Sequence, residues 1–295
     1  MNSDQQKQTK DFFDKFSQEW KKSAMSTADD SVNMIKQRND FVEFCSKNLP
    51  SNSKTLDIGC GTGDLVLSLL QNGFDAYGID FSSEMIKTAK NSAQNLSLPS
   101  EHFHEISFFD FDSDDSFDLI SANGFIEYIS FSQLEDFLKQ SNELLSKEGL
   151  LVFGSRNRLF NSYSMNSFTL EEIESKNINS LITESAIFNS CNTIQELLEK
   201  FKPTFLELPD KQSMTDIDVN IRYQYTPFQL FTLLHKYGFK ILNISPIHIH
   251  GIPPSGKKLD PQLHALFSNL LQNQQHLKFQ LLPQSSSFMI EARKS

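Results

Sequence analysis

Apolar residues recur along this chain in two alternating periods, and their order outlines the fold. Residues 4–22 place Phe12, Phe13, Phe16 and Trp20 on one side of a helix, and 31–49 place Val32, Ile35, Phe41, Val42 and Phe44 in a second. Pro50–Ser53 reads as a turn. A short apolar strand over Thr55–Ile58 leads into a helix with Leu65/Leu69 and Val66/Leu70 on one face, which stops at Gly73. Asp75–Ile79 is a second strand, closed by Asp80, and Ser82 or Ser83 caps a helix carrying Met85, Ile86 and Ala89. Phe103–Ile106 is a brief third strand and Phe117–Ala122 a fourth. A helix is predicted over 132–148 with Gly149 as its stop, then a fifth strand over Leu150–Ser155.

The alternation breaks after that. Residues 158–225 contain helical stretches at Thr169–Ile173 and after a capping box at Thr193–Glu196. Thr226-Pro227 opens a helix with Leu230, Leu233, Leu234 and Tyr237 on one face, and Gly238-Phe239-Lys240-Ile241 begins a sixth strand. Pro253–Gly256 reads as a loop, 261–277 as a helix and Ser286–Glu291 as the last strand. The reading divides the chain into 1–157, an insertion at 158–225, and 226–295.

The stretch Thr55-Leu56-Asp57-Ile58-Gly59-Cys60-Gly61-Thr62-Gly63-Asp64 is the densest chemistry in the chain. Glycines at 59, 61 and 63 remove Cβ atoms where backbone must lie close to a ligand. A dinucleotide fingerprint needs G-x-G-x-x-G and a phosphate on the helix N-terminus. Here the spacing is G-x-G-x-G and position 64 is a carboxylate, which repels phosphate; there is no P-loop either. The D-x-G-x-G-x-G form resembles motif I of class I S-adenosylmethionine (SAM) methyltransferases, whose ligand carries an ammonium and a sulfonium and no phosphate.

That resemblance, strong over 55–157 and looser over 226–295, implies an α/β fold: a Rossmann-like doubly wound sheet of seven strands, the last antiparallel, with an inserted helical lid. It implies SAM as cofactor, lying on Asp57, Gly59, Cys60, Gly61 and Gly63. Asp80, 17 residues after Gly63, would accept both ribose hydroxyls, and Phe81 and Met85 would flank the base. Glu105 and Ile106 match the positions that receive the adenine amino group, although the usual Gly-Asp pair is absent there. The exit Asn123–Ile129 resembles the V-L-E-[HY]-I segment of small-molecule methyltransferases. Asn123 is its cofactor contact, and Glu127 and Tyr128 are candidate acceptor contacts or helix-start packing. The first helix is either a packed element or a lid over the cofactor, and the insertion would shape the acceptor pocket. The spans Arg156–Thr169 and Ser286–Lys294 resemble methyltransferases of bacterial surface-polysaccharide and natural-product pathways, which implies a small sugar or metabolite as acceptor.

Other candidates come from the residues alone. Arg156, Asn157 and Arg158 form the exit of the fifth strand; the two arginines would either clamp a carboxylate or phosphate of the acceptor or form a salt bridge to the acidic connector, and Arg156 and Asn157 are the candidate substrate contacts. His248 and His250 share one face of a strand. They read as structural histidines, as a general base, or as half of a metal site lacking a third ligand nearby. No metal is expected. The acids between Asp110 and Asp118 lack the glycine and terminal glutamate of a calcium loop and read as a solvated connector.

Composition narrows the partners. The net charge is −10, which disfavours broad nucleic-acid binding. Cys45, Cys60 and Cys191 are scattered and give no disulfide framework. No signal-peptide core or membrane-length apolar run is present, so a cytoplasmic protein is expected. The function expected is methyl transfer to oxygen or nitrogen of a small molecule. The alternatives are an RNA or protein methyltransferase, or a SAM-binding regulator without turnover. Oligomeric state is left open.

Overall fold

The computed structural model describes residues 7, 9–15, 34–204 and 222–295, without the side chains of Lys258 and Gln275. Alternating apolar residues in its strands feed two separate cores, one on each face of a seven-stranded sheet of order β3-β2-β1-β4-β5-β7-β6. The strands are β1 (Lys54–Ile58), β2 (Asp75–Asp80), β3 (Phe103–Glu105), β4 (Phe117–Ala122), β5 (Leu145–Arg156), β6 (Phe239–Ile249) and β7 (Ser285–Lys294). Strands β1 to β5 pair in parallel. β7 runs antiparallel between β5 and β6, so β6 points the same way as β5. This is the expected doubly wound sheet with its last strand reversed.

The helices follow from the same pattern. Residues 9–15 form α1; Phe16, Trp20 and Val32 lie outside the described residues. Next come α2 (Met34–Ser46), α3 (Asp64–Gln71), α4 (Ser83–Asn95) and α5 (Phe131–Leu144). Phe41, Val42, Leu65, Val66, Leu69, Ile86 and Ala89 from α2, α3 and α4 share one core with Leu119, Val152 and Met289. Leu134, Phe137 and Leu138 of α5 share the other with Ile120, Leu151, Phe153 and Ile290. Both sheet faces are covered, as a parallel sheet requires.

The insertion holds α6 (Ser167–Glu174), α7 (Ile178–Asn189) and α8 (Ile194–Lys200). Leu181, Phe188 and Leu197 of this segment join the α5 core. α9 (Pro227–Lys236) begins as expected: Thr226 and Gln229 form a full capping box with Pro227 at the first position. α10 (Pro254–Leu259) occupies part of the expected loop, and α11 (Pro261–Gln272) ends five residues before the predicted limit at 277. The helix predicted over 132–148 also stops early, at Leu144, because Leu145 already pairs with Phe117 in the sheet. Gly149 therefore lies inside β5, and the left-handed turn is made by Glu148 at φ 64°.

Gly63 caps α3 at φ 82°, and an added Cβ would sit 2.6 Å from the Phe103 ring and 2.9 Å from Ala89 Cβ. Left-handed strain and overpacking then act together. Gly63→Ala should lower unfolding free energy by about 3 kcal/mol in urea titrations. An unchanged midpoint would mean that the turn is looser than described.

Candidate functional site

β1 ends at a glycine turn because Gly59, Gly61 and Gly63 all take positive φ, at 69°, 53° and 82°. The turn is pinned across strands. Gly59 and Cys60 N–H groups donate to Ile79 O at 2.9 and 3.0 Å, and Gly61 N donates to Asp80 Oδ2 at 3.0 Å. Asp80 Oδ1 accepts from Ser82 N at 2.8 Å. Pairing in register opposite Asp57, Ser121 donates its hydroxyl to Asp57 Oδ1 at 2.6 Å.

One cavity forms at the carboxyl ends of β1, β2 and β4, the edge where open parallel sheets bind ligands. Its walls include Asp57, Gly59, Cys60, Gly61, Asp80, Phe81, Met85, Ile106, Asn123, Glu127 and Tyr128. Gly63 is absent from the wall and serves packing instead. Thr9 and Phe13 of α1 also line it, with the Phe13 ring edge-on to Tyr128 at 5.5 Å. Asp14 in the same helix accepts from Ser82 Oγ at 2.5 Å, which ties α1 to the start of α4.

The cavity is electrically divided. At the glycine turn, burial pushes the Asp57 carboxyl up to about 7 against the Ser121 hydrogen bond. Burial likewise raises Asp80 to about 6, against the two backbone N–H groups it accepts. At the opposite wall Glu127 is fully buried. Its Oε1 accepts from Arg38 Nη2 at 2.7 Å, and its Oε2 from Arg222 Nε and Nη2 at 2.8 and 2.7 Å. Burial alone would raise this carboxyl, but Arg222, Arg38 and Arg156 outweigh it and hold Glu127 at about 2.

Several expected residues stand elsewhere. Glu105 is exposed at the end of β3, 3.8 Å from Lys10, and its neighbours Ile106 and Ser107 reach the cavity instead. Asn157 is fully buried as a latch: Nδ2 donates to Leu282 O and Ser285 O at 2.7 and 2.9 Å, and Oδ1 accepts from Leu159 N at 3.0 Å. Its amide is thus engaged with the backbone, and it is not in the cavity wall. Arg156 lies over the Phe168 ring at 5.6 Å and is not in the cavity wall. Arg158 makes a buried two-pronged pair with Glu172. His248 and His250 also lie outside the cavity. His248 Nδ1 meets Ser286 Oγ at 2.8 Å, and His250 Nδ1 meets His264 Nε2 at 3.1 Å. Burial, then His248 and His264, depress His250 to about 3.

The sequence reading missed Arg38, Asn39 and Arg222. Arg38 carried a signal: it falls three residues after Ile35 and three before Phe41, on the apolar face of its helix. Gly124 makes room for it, since a Cβ there would lie 2.6 Å from its Nη1. Arg222 carried no local signal.

A doubly wound sheet with an acidic glycine turn at its switch point defines the class: an α/β protein built for a nucleoside-type ligand without a phosphate at the turn. The chain belongs to the family described as the methyltransferase domain, which matches residues 49–208. Two curated relatives are carboxy-S-adenosyl-L-methionine synthases. The one from Campylobacter fetus subsp. fetus is 32% identical over 117 residues, 38% of this chain and 47% of that protein. The one from Campylobacter jejuni is 28% identical over 146 residues, 47% of this chain and 61% of that protein. The chain thus spans about half to three-fifths of the length of these relatives. The fold is shared with magnesium protoporphyrin IX methyltransferase from Synechocystis PCC 6803. That match has a TM-score of 0.59 at 15% identity and covers 99% of this chain and 100% of that one.

Glu127→Gln would leave Arg38 and Arg222 around a neutral amide in a buried setting. We expect a loss of about 3–5 kcal/mol at neutral pH, read as a fall in melting temperature. The folded-state pKa of Glu127 is depressed, so its contribution is full above the ordinary value of 4.5 and is lost as pH falls through about 2. The wild-type and Gln variant melting temperatures should therefore converge toward pH 2.

Proposed function

We propose that the chain is a SAM-dependent methyltransferase that moves a methyl group to an oxygen or nitrogen atom of a small-molecule acceptor. One observation carries the reading. Asp57 and Asp80 are buried in one cavity with raised carboxyl pKa values, and among the described residues their hydrogen bonds come from Ser121 and from backbone N–H groups rather than from a cation. Such a site suits a cationic ligand bearing a cis-diol and repels a pyrophosphate.

The residues present fit that ligand. A Cβ on Gly61 would meet only Met85 Sδ, at 4.0 Å, so the turn leaves a cradle. Each Asp80 oxygen accepts one N–H and keeps a lone pair for a ribose hydroxyl. Asp57 faces the ammonium end. Among the described residues, the buried Oδ1 of Asn123 has no hydrogen-bond partner, and it supplies a further acceptor there. Phe81, Met85 and Ile106 form the apolar slot for adenine. Arg38 stands ready for a carboxylate.

When bound, SAM supplies a methyl group on a sulfonium, an excellent leaving group for in-line displacement. The protein then has to align the acceptor and exclude water. Phe13 and Tyr128 close the cavity on the side where the acceptor would enter, and Glu127 with Arg222 fixes that wall. His248 and His250 take no part. The likeness of 156–169 and 286–294 to surface-polysaccharide pathway enzymes favours a sugar-type acceptor. A second reading, prompted by the two Campylobacter relatives, is that the SAM methyl group gives up a proton and takes a carboxyl group from a second substrate, a carboxyl donor. Mass analysis of the cofactor product separates the two readings.

S-adenosylhomocysteine should raise the melting temperature of the wild type, and Asp80→Ala should abolish the shift. No shift in the wild type would remove the cofactor assignment. Binding should also depend on pH. An ammonium at Asp57 and hydroxyl donors at Asp80 both favour the ionised carboxyls, whose pKa values lie near 7 and 6 in the free protein. SAM binding at those pH values should therefore release protons, and affinity should weaken as pH falls through about 7 and then about 6. Calorimetry in two buffers of different ionisation enthalpy would detect the release. Equal heats in both would count against Asp57 and Asp80 as the carboxylates that hold the ligand.

A further inference from the structure

Away from the cavity, α11 reverses ordinary amphipathic packing. Its buried residues are polar, His264 and Ser268. Ser268 Oγ accepts from Gly251 N at 3.0 Å, and His264 meets His250. Gly251 permits this close approach, since a Cβ there would lie 2.3 Å from Phe267 Cβ. The polar side thus clamps the helix to the exit of β6. Its apolar side points outward: Leu263, Leu266, Phe267 and Leu270 are 41%, 57%, 43% and 53% exposed, and Leu259 just before them is 88% exposed. The spacing i, i+3, i+4, i+7 puts the four on one face.

Charge and area indicate what meets this face. Between Gly251 and Leu277 the sequence carries Lys257 and Lys258 against a single acid, Asp260, in a chain whose net charge is −10; the half-buried Lys278 that follows donates to Asn243 Oδ1 at 2.7 Å. The Asp260 carboxylate caps α11 by accepting from Leu263 N at 2.9 Å. A second copy of the chain would set the same basic residues against these, like charge against like. Five apolar side chains are also few beside the roughly 20–30 residues a side of a standard protein interface. A lipid surface needs no such area. An apolar helix face enters the headgroup boundary by about 5–10 Å, and neighbouring lysines are drawn to anionic lipid. β6 runs parallel to β5, so α10 and α11 leave from the sheet edge that also carries the cavity.

We propose that the outward face of α11, with Leu259, is a contact for the surface of an anionic lipid bilayer. The proposal stands apart from the methyl-transfer reading. Its test is cosedimentation of the full chain with vesicles of mixed phosphatidylcholine and phosphatidylglycerol, and with phosphatidylcholine alone. The expected result is binding to the mixed vesicles that weakens with salt, and a loss of about tenfold for Leu263→Ser/Leu266→Ser/Leu270→Ser. Because these positions are exposed, the variant should keep the wild-type melting temperature; if it does not, Leu266→Glu alone serves the same comparison. Wild type left in the supernatant, or binding unchanged by the substitutions, overturns the proposal. So does a doubled mass in light scattering that the substitutions return to a monomer, which would assign the face to a second copy.

Discussion

Glu127 can remain ionised without solvent only because two guanidinium groups meet it, and three distant parts of the chain converge on that one carboxylate. Arg38 comes from α2, Glu127 from the exit of β4, and Arg222 from the segment before α9. Arg38 also donates to Ser287 Oγ on the reversed strand β7 at 2.7 Å, and Ser287 in turn donates to Ser155 O of β5 at 2.7 Å. A buried ionic cluster is a poor source of net stability, because desolvation offsets most of its attraction. Its effect here is to fix relative position: any displacement of α2 or of the β4 exit strands a buried charge. The wall of the cavity opposite the glycine turn is held by that penalty.

The two ends of the cavity are consequently built on different physics. At the turn, acids are buried with hydroxyl and backbone donors, and their carboxyl groups rise toward neutrality. At the far wall, an acid is buried with cations and its carboxyl falls to about 2. α1 adds a cover, tied on by a hydrogen bond from Ser82 to Asp14, an aromatic edge on Tyr128 and a long ion pair to Glu105.

The histidines of β6 show how position overrides side-chain type. Imidazoles two apart on a strand face suggest proton transfer. Here the pair is drawn into the joint between β6 and α11, beside His264 and the Phe160 ring at 4.7 Å. With cationic neighbours and little solvent, His250 stays neutral. Asn157 departs from expectation for a similar reason. It stands at a strand end where a ligand contact was plausible, yet three backbone groups claim its amide first.

The local sequence determined the strands, their order of appearance, the glycine turn, the carboxylate closing β2 and the cap at Thr226. Each of these is set by neighbours within a few residues: period, missing Cβ atoms, or a side chain reaching the backbone close by. Boundaries failed where a distant strand intervened, as when Phe117 drew Leu145 out of the predicted helix. Arg38 was half legible as a charge on an apolar face, while its partners were not. Only the tertiary structure decided that Glu127 faces two arginines, that Gly63 packs rather than lines, and that the histidines stand aside. Those outcomes depend on which surfaces meet across the sheet, and pairing between residues 89 or 95 positions apart leaves no period in the chain.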